Sequence, residues 1–335
     1  MTALVVVDAT PLGPEPSGAR RRMEAILPRL AARLPDAVLE VHWARDGGGP
    51  GPGVSAANLV HATVDVSCRG GARRMVRVAR HLRRRHRQAA FTHLLVDHGP
   101  VPLASRVRVV VTVHDLRFLH GWGGVLRGLY GRLRYGRLLE RAGAVVAVAP
   151  SVAAEVERCY PALEGRVLVA ANAPSPAFGP PAPDAPRRGA LVVARDEPRK
   201  AREAALWAAR AAGLPVTVID GAVSEASLRE AYRRARWVLA PSLEEGYDLP
   251  VAEALASGTP VVASDIPAHR DLEALGAEGL VLVPPPVRGR HGWSWPGAVE
   301  ALAADLPARV GPPAGTWEDA AAVLAEAVGG SRPPG

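Results

Sequence analysis

Residues 243–258, "LEEGYDLPVAEALASG", include the carboxylates Glu245 and Glu253, with seven residues between them. Pro250 sits near the first position of a predicted helix, where its missing N–H costs nothing. The free amides of Gly246, Tyr247, Asp248 and Leu249 then lie at a helix N-terminus, which attracts anions. Gly246 lets the backbone come close to a ligand. Two carboxylates bracketing a phosphate site accept hydrogen bonds from hydroxyls on either side of a diphosphate. Arg195 and Lys200 follow a short apolar run and precede an Ala-rich helix, the usual place for phosphate ligands in an α/β unit. Lys200 is the only lysine among 41 basic residues. A compact ammonium in a tight phosphate site is not interchangeable with a planar guanidinium.

Further candidates lie earlier in the chain. His114 ends an apolar strand in "VHDL", with Asp115 beside it either capping a turn or joining the site. His98, in "DHGP", is a candidate for lining the same cleft. Ser151 reads as a helix cap.

The elements that hold these residues follow from periodicity. "ALVVVDA", "VLEVHWA", "HLLVDHG", "VRVVVTVHD" and "AGAVVAVAPS" read as buried strands. Helical patterns fall over residues 19–34 and 152–159. Six prolines between Pro174 and Pro186 exclude helix and inner strand and mark a connection. The alternation then restarts with "ALVVA", "PVTVID", "WVLAPS", "TPVVAS" and "LVLVPP", separated by helices. This is the pattern of two doubly wound α/β halves with mostly parallel sheets. Their ligands bind outside the carboxyl ends of the strands, so the cleft between the halves is the expected site.

Composition narrows the class. The chain has 335 residues, 48% apolar and 22% charged, enough for two soluble globular domains. Its net charge of +8 favours anionic partners without choosing among them. Cys68 and Cys159 stand far apart and read as reduced thiols, which gives no support to a zinc site. The apolar run at the N-terminus is too short for a signal peptide or a span, so a cytoplasmic location is expected. The run Arg73–Arg87 places Met75, Val76, Val78, Ala79 and Leu82 on an apolar stripe among arginines. It reads as a solvated helix face. Its sharper reading is a basic patch for peripheral contact with an anionic membrane or an anionic acceptor. No aromatic residues interleave the arginines, which disfavours nucleic acid.

The segment "PSLEEGYDLPVAEALASGTPVVASD" resembles the paired-glutamate signature of retaining glycosyltransferases of family 4, with the GT-B fold. "VVTVHDLRFLH", "ERAGAVVAVAPSVAAEV", "VLVAANAPSPAF" and "GTWEDAAAVLAEAV" are similar to other segments of that family. The resemblance implies two Rossmann-like domains facing a central cleft. An acceptor-binding domain would span residues 1–172, a Pro-rich linker 173–188 and a nucleotide-sugar domain 189–315. A terminal helix at 316–329 would pack back on the first domain. By the same resemblance, Glu245 contacts donor-sugar hydroxyls, Glu253 holds the ribose and the amides of Tyr247 to Leu249 hold the diphosphate. Arg195 and Lys200 fall where the family supplies cations to the phosphates. His114 faces the donor sugar, and Gly18 sits at a glycine turn near the donor. Basic side chains and helix N-termini replace a metal, and no cofactor is expected.

Three positions depart from the family pattern: Asp248, Ala173 and Ala194 stand where glycine is usual. A carboxylate at 248 has to turn away from a diphosphate. The expected function is metal-independent transfer of a sugar, with retention, from a nucleoside diphosphate sugar to a glycan, lipid-linked or small-molecule acceptor. The alternatives are a nucleotide-sugar epimerase or phosphorylase on the same fold, or a non-catalytic partner protein.

Overall fold

The computed structural model describes residues 3–69, 71–98, 107–122, 124, 128–129, 135–180, 186–221, 223–290 and 292–330. The chain divides into two compact units, one ending at Ala171 and regaining the C-terminal helix, the other running from Asn172 to Thr316.

The first unit is built on a seven-stranded sheet. Its strands are β1 (Ala3–Asp8), β2 (Ala37–Ala44), β3 (Leu59–Val64), β4 (His93–Val96), β5 (Arg108–Val113), β6 (Ala144–Ala147) and β7 (Val167–Val169). They lie in the order β3-β2-β1-β4-β5-β6-β7, and every pairing is parallel. Strands such as "VVV" in β1 are continuous apolar runs because both faces of a parallel sheet are covered. The helices are α1 (Gly18–Arg33), α2 (Gly71–Gln88), α3 (Gly136–Glu140) and α4 (Pro150–Cys159). In α1, Met23, Ile26, Leu27, Leu30 and Ala31 recur at helical spacing and are buried. Each large apolar side chain so buried contributes roughly 1.5–3 kcal/mol. The terminal helix Trp317–Gly329 packs on α1, and Glu318 pairs with Arg29 at 3.0 Å.

The second unit holds a five-stranded sheet in the order β12-β11-β10-β8-β9. These strands are β8 (Arg188–Val193), β9 (Val216–Ile219), β10 (Ala235–Ala240), β11 (Val261–Ser264) and β12 (Leu280–Val283), again all parallel. Helices α5 (Arg202–Ala211), α6 (Glu225–Arg234), α7 (Leu249–Ala256), α8 (Pro267–Ala274) and α9 (Pro296–Ala303) cover it. Four buried alanines of α5 (Ala204, Ala205, Ala208, Ala209) bring that helix close to the sheet, where Trp237 and Trp295 fill the core. The indole of Trp295 donates to the Pro284 carbonyl at 2.8 Å, so its polar edge is not wasted. The first strand, β8, has β9 on one side and β10 on the other, so the winding reverses there. A crevice opens at such a reversal, outside the strand ends.

Three features differ from the sequence expectation. The edge strand β3 is interrupted by His61 and Thr63, β7 is only three residues long, and the hairpin of β13 (Val287–Gly289) with β14 (Gly292–Ser294) carries no uninterrupted apolar run. Val76, expected on the apolar stripe of α2, is 51% exposed, whereas Arg74 is buried with its guanidinium donating to Thr10 Oγ1 at 3.0 Å. The cap of α4 is Ala149; Ser151 lies inside its first turn. Of the proline-rich connection, residues 181–185 lie outside the described residues.

Candidate active site

The reversal in the second sheet brings two loops together. The turn after β8 ends in Arg199 and Lys200, and the loop after β10 runs from Pro241 to Asp248. Leu243 N–H donates to the Arg199 carbonyl at 2.8 Å, joining the loops by their backbones. Arg199 Nη1 then donates to the Glu244 carbonyl at 3.2 Å and to Glu245 Oε1 at 2.9 Å, and its other arm meets Glu197 at 2.9 Å. Lys200 Nζ lies 2.5 Å from the same Glu245 Oε1 and 3.8 Å from Asp248 Oδ1. Burial disfavours the ammonium, yet the Asp248 and Glu245 carboxylates raise its pKa above the ordinary lysine value. Ala201, which follows, has a left-handed backbone with φ of 42°, an unusual state for a residue with a Cβ.

Asp248 heads α7 in a left-handed conformation with φ of 66°. Its carbonyl accepts from Val251 N–H at 3.1 Å and Ala252 N–H at 3.4 Å, while Pro250 has no N–H to offer. The amides of Gly246, Tyr247, Asp248 and Leu249 have no backbone partner among the described residues. They form the anion-attracting end of α7. The Asp248 carboxylate turns inward, with Oδ2 3.1 Å from Nε2 of the buried His269. Burial works against its charge, but Lys200 and His269 hold its pKa down at about 2. A small pocket beside these groups is lined by Ala194, Lys200, Ser242, Asp248 and Val251.

Two donor-site candidates stand differently from the expectation. Arg195 is exposed and makes no ion pair among the described residues; the cations beside Glu245 are Lys200 and Arg199. The 3₁₀ turn Pro198–Lys200 aims Arg199 inward, which strand-and-helix periodicity does not encode. Glu253 is 1% exposed inside α7, and the Tyr232 hydroxyl donates to its Oε2 at 3.3 Å. Tyr247 is buried as well, and burial raises the pKa of its phenol.

The candidates of the first unit gather at the ends of β4 and β5. His114 Nε2 donates to the Asp97 carbonyl at 2.6 Å, and its ring meets His98 edge-on with centroids 5.2 Å apart. Burial and the neighbouring His114 push the His98 pKa down to about 4. Arg22, 0% exposed, reaches from α1 to Asp97 Oδ1 at 3.1 Å and to the Ala170 carbonyl at 3.1 Å. Burial opposes ionisation of Asp97, but Arg22 and His114 hold its carboxyl well below the usual range. Asp115 accepts from Arg117 N–H at 3.3 Å and so caps a turn. Gly18 does not form a glycine turn: it is the first residue of α1, capped by Ser17, and is absent from the left-handed glycines. Arg199, His269 and Arg22 escape sequence reading, although Arg199 adjoins Lys200 and His269 stands one strand beyond the glutamate pair.

Two family models match the chain. One, described as Glycosyltransferase Family 4, matches residues 23–176; the other, described as Glycosyl transferases group 1, matches residues 182–289. A stretch of 55 residues, 16% of this chain, is 42% identical to the O-antigen chain mannosyltransferase RfbU of Salmonella typhimurium. Another of 78 residues, 23% of this chain, is 40% identical to the D-inositol 3-phosphate glycosyltransferase of Nocardia farcinica. Each match spans 16% of the relative's own length. Among solved structures, sucrose-phosphate synthase from Thermosynechococcus elongatus superposes with a TM-score of 0.70 at 14% identity, covering 97% of this chain and 92% of that one. Anabaena Alr3699/HepE, solved with UDP and glucose, superposes with a TM-score of 0.62 at 13% identity, covering 97% and 95%. Both units thus match models of one enzyme group, and the likeness of fold runs nearly the full length. The chain belongs to the group 1 glycosyltransferases, family 4, and has their two-domain GT-B fold.

Proposed function

We propose that this glycosyltransferase moves a sugar, with retention of anomeric configuration, from a nucleoside diphosphate sugar to a hydroxyl of a glycan, lipid-linked or small-molecule acceptor. One observation carries the reading: the Lys200 ammonium, the Glu245 carboxylate and four unspent amides at residues 246–249 meet at the sheet reversal of the second unit. As the bond from sugar to phosphate breaks, negative charge grows on the leaving diphosphate. Lys200 and the α7 amides meet that charge with dipoles already in place. Glu245 exchanges its hold on Lys200 for hydroxyls of the donor sugar. Arg195, exposed beyond β8, adds a cation at the rim. Glu253 serves the ribose side, steadied by Tyr232.

The nucleoside diphosphate is in keeping with HepE, whose solved complex holds UDP and glucose. By resemblance to the family, His114 is assigned to the donor sugar and the first unit to the acceptor. Attack comes from the face of the leaving group. The acceptor oxygen bonds to the anomeric carbon as the carbon–oxygen bond to phosphate breaks, and a diphosphate oxygen takes the acceptor proton. The protein's own cations replace a metal, so transfer should survive a chelator. No helix among the described residues is long and apolar enough to cross a membrane. Peripheral contact with an anionic membrane falls to α2, whose exposed side carries Arg73, Arg77, Arg80, Arg84 and Arg87.

The test is a screen with UDP-, GDP- and dTDP-sugars in the presence of EDTA, followed by proton NMR of the first product formed. A product with the donor's anomeric configuration is expected. An inverted product, or activity abolished by the chelator and restored by a divalent metal, would overturn the reading.

A further inference from the structure

We infer that His269 is the counter-ion that makes an aspartate tolerable at the head of α7, and that it thereby keeps the donor site from turning net negative. This rests on the reading above that the site takes a diphosphate. Asp248 places a carboxylate beside the amides and the lysine that a diphosphate would use. An anion at a helix N-terminus is itself favoured, so Asp248 competes with the ligand for the same field. Left alone, it would also offset Lys200 while Glu245 offsets Arg199.

The geometry around His269 removes that conflict. Its Nδ1 lies 2.7 Å from the Ser264 carbonyl, and its Nε2 lies 3.1 Å from Asp248 Oδ2. A carbonyl oxygen only accepts, so Nδ1 carries a hydrogen. The contact between Nε2 and the carboxylate needs a second proton, whichever atom holds it. The pair of Asp248 and His269 is therefore electrically neutral as a unit. Both side chains are withdrawn from water, His269 completely, so solvent screens their interaction little. Lys200 and Arg199 then face Glu245, with Glu197 a half-exposed partner at the outer arm of Arg199. These two cations balance Glu245 and Glu197, so without His269 the Asp248 carboxylate would turn the cluster net negative toward the ligand. The left-handed backbone at 248 suits glycine best. The aspartate is thus held there against its own backbone preference, and His269 is a positioning residue that acts through it.

The test is calorimetry of the full chain with UDP, GDP, ADP and dTDP, using wild type, His269→Gln, Asp248→Gly and the double variant. His269→Gln leaves the carboxylate uncompensated, and nucleotide affinity should fall tenfold or more. Asp248→Gly relieves the backbone and removes the competing anion, so affinity should rise several-fold. The double variant should bind within threefold of Asp248→Gly, a rescue that a mere packing role for His269 does not produce. Unchanged affinity in His269→Gln, or a double variant as weak as His269→Gln, overturns the inference. Thermal unfolding checks that each variant folds. Should His269→Gln alone fail to fold, the double variant decides: it must bind at least as tightly as wild type, and weaker binding overturns the inference. A wild-type chain that binds none of the four nucleotides instead removes the donor reading itself.

Discussion

The two units each carry a buried arginine or lysine against acidic groups, and they use it in opposite ways. In the first, Arg22 lies wholly inside, reaching from α1 to Asp97 after β4 and to the Ala170 carbonyl after β7. It ties strand ends together and, through Asp97, fixes the ring of His114. In the second, Lys200 keeps 14% of its side chain exposed, shares a carboxylate with Arg199 and faces amides that no backbone group has taken. The first arrangement is closed and supports a shape. The second keeps backbone donors in reserve beside its cations, which is what an anion-binding site requires. The difference teaches that a buried cation marks a ligand site only when the donors around it are unspent.

The contrast can be broken by substitution. Glu245→Ala should reduce transfer by about a thousandfold while nucleoside diphosphate still binds, since the carboxylate is assigned to the sugar rather than the phosphates. Glu253→Ala should do the reverse and weaken nucleotide binding more than turnover. Product assays beside calorimetry separate the two, and full activity in either variant breaks its assignment. Arg22→Leu should cost the first unit about 3–5 kcal/mol, because it strands a buried carboxylate. Guanidinium unfolding measures this, with nucleotide binding by the second unit unaffected. A neutral result would mean that Arg22 is no more than filler.

The smallest effect is expected on α2, where the arginines are solvated. Replacing Arg77, Arg80 and Arg84 by Gln should leave stability within about 0.5 kcal/mol. The same change should reduce sedimentation with anionic vesicles at low salt, since each basic residue near such a surface contributes about 1 kcal/mol. Vesicle binding that ignores both salt and the substitutions would remove the membrane role.

How much of this was legible in the chain depends on whether neighbours in space are neighbours in sequence. The alternation of "ALVVVDA", "WVLAPS" and "TPVVAS" with helical stretches is enough to find two parallel sheets, because a strand buried on both faces writes a continuous apolar run. β3, interrupted by His61 and Thr63, writes no such run, and β7 at the other sheet edge is three residues long, too short to stand out. Glu245 and Asp248 stand out because loop, proline and helix follow one another in a single segment. Arg199 against Arg195 was not decidable, since a 3₁₀ turn aims side chains with neither strand nor helix period. His269 and Arg22 were hidden for a different reason. Each meets its carboxylate only because the sheet order brings α8 beside the α7 loop, or α1 beside the end of β4. The buried state of Glu253 depends likewise on Tyr232 arriving from α6.

The central claim is that Lys200 and the head of α7 hold the donor's diphosphate. Its most direct test is calorimetric titration of wild type, Lys200→Ala and Lys200→Arg with UDP and GDP at one salt concentration. Wild type should bind at least one of the two, Lys200→Ala should lose tenfold or more, and Lys200→Arg should fall between them. Equal affinity in all three proteins would contradict the account.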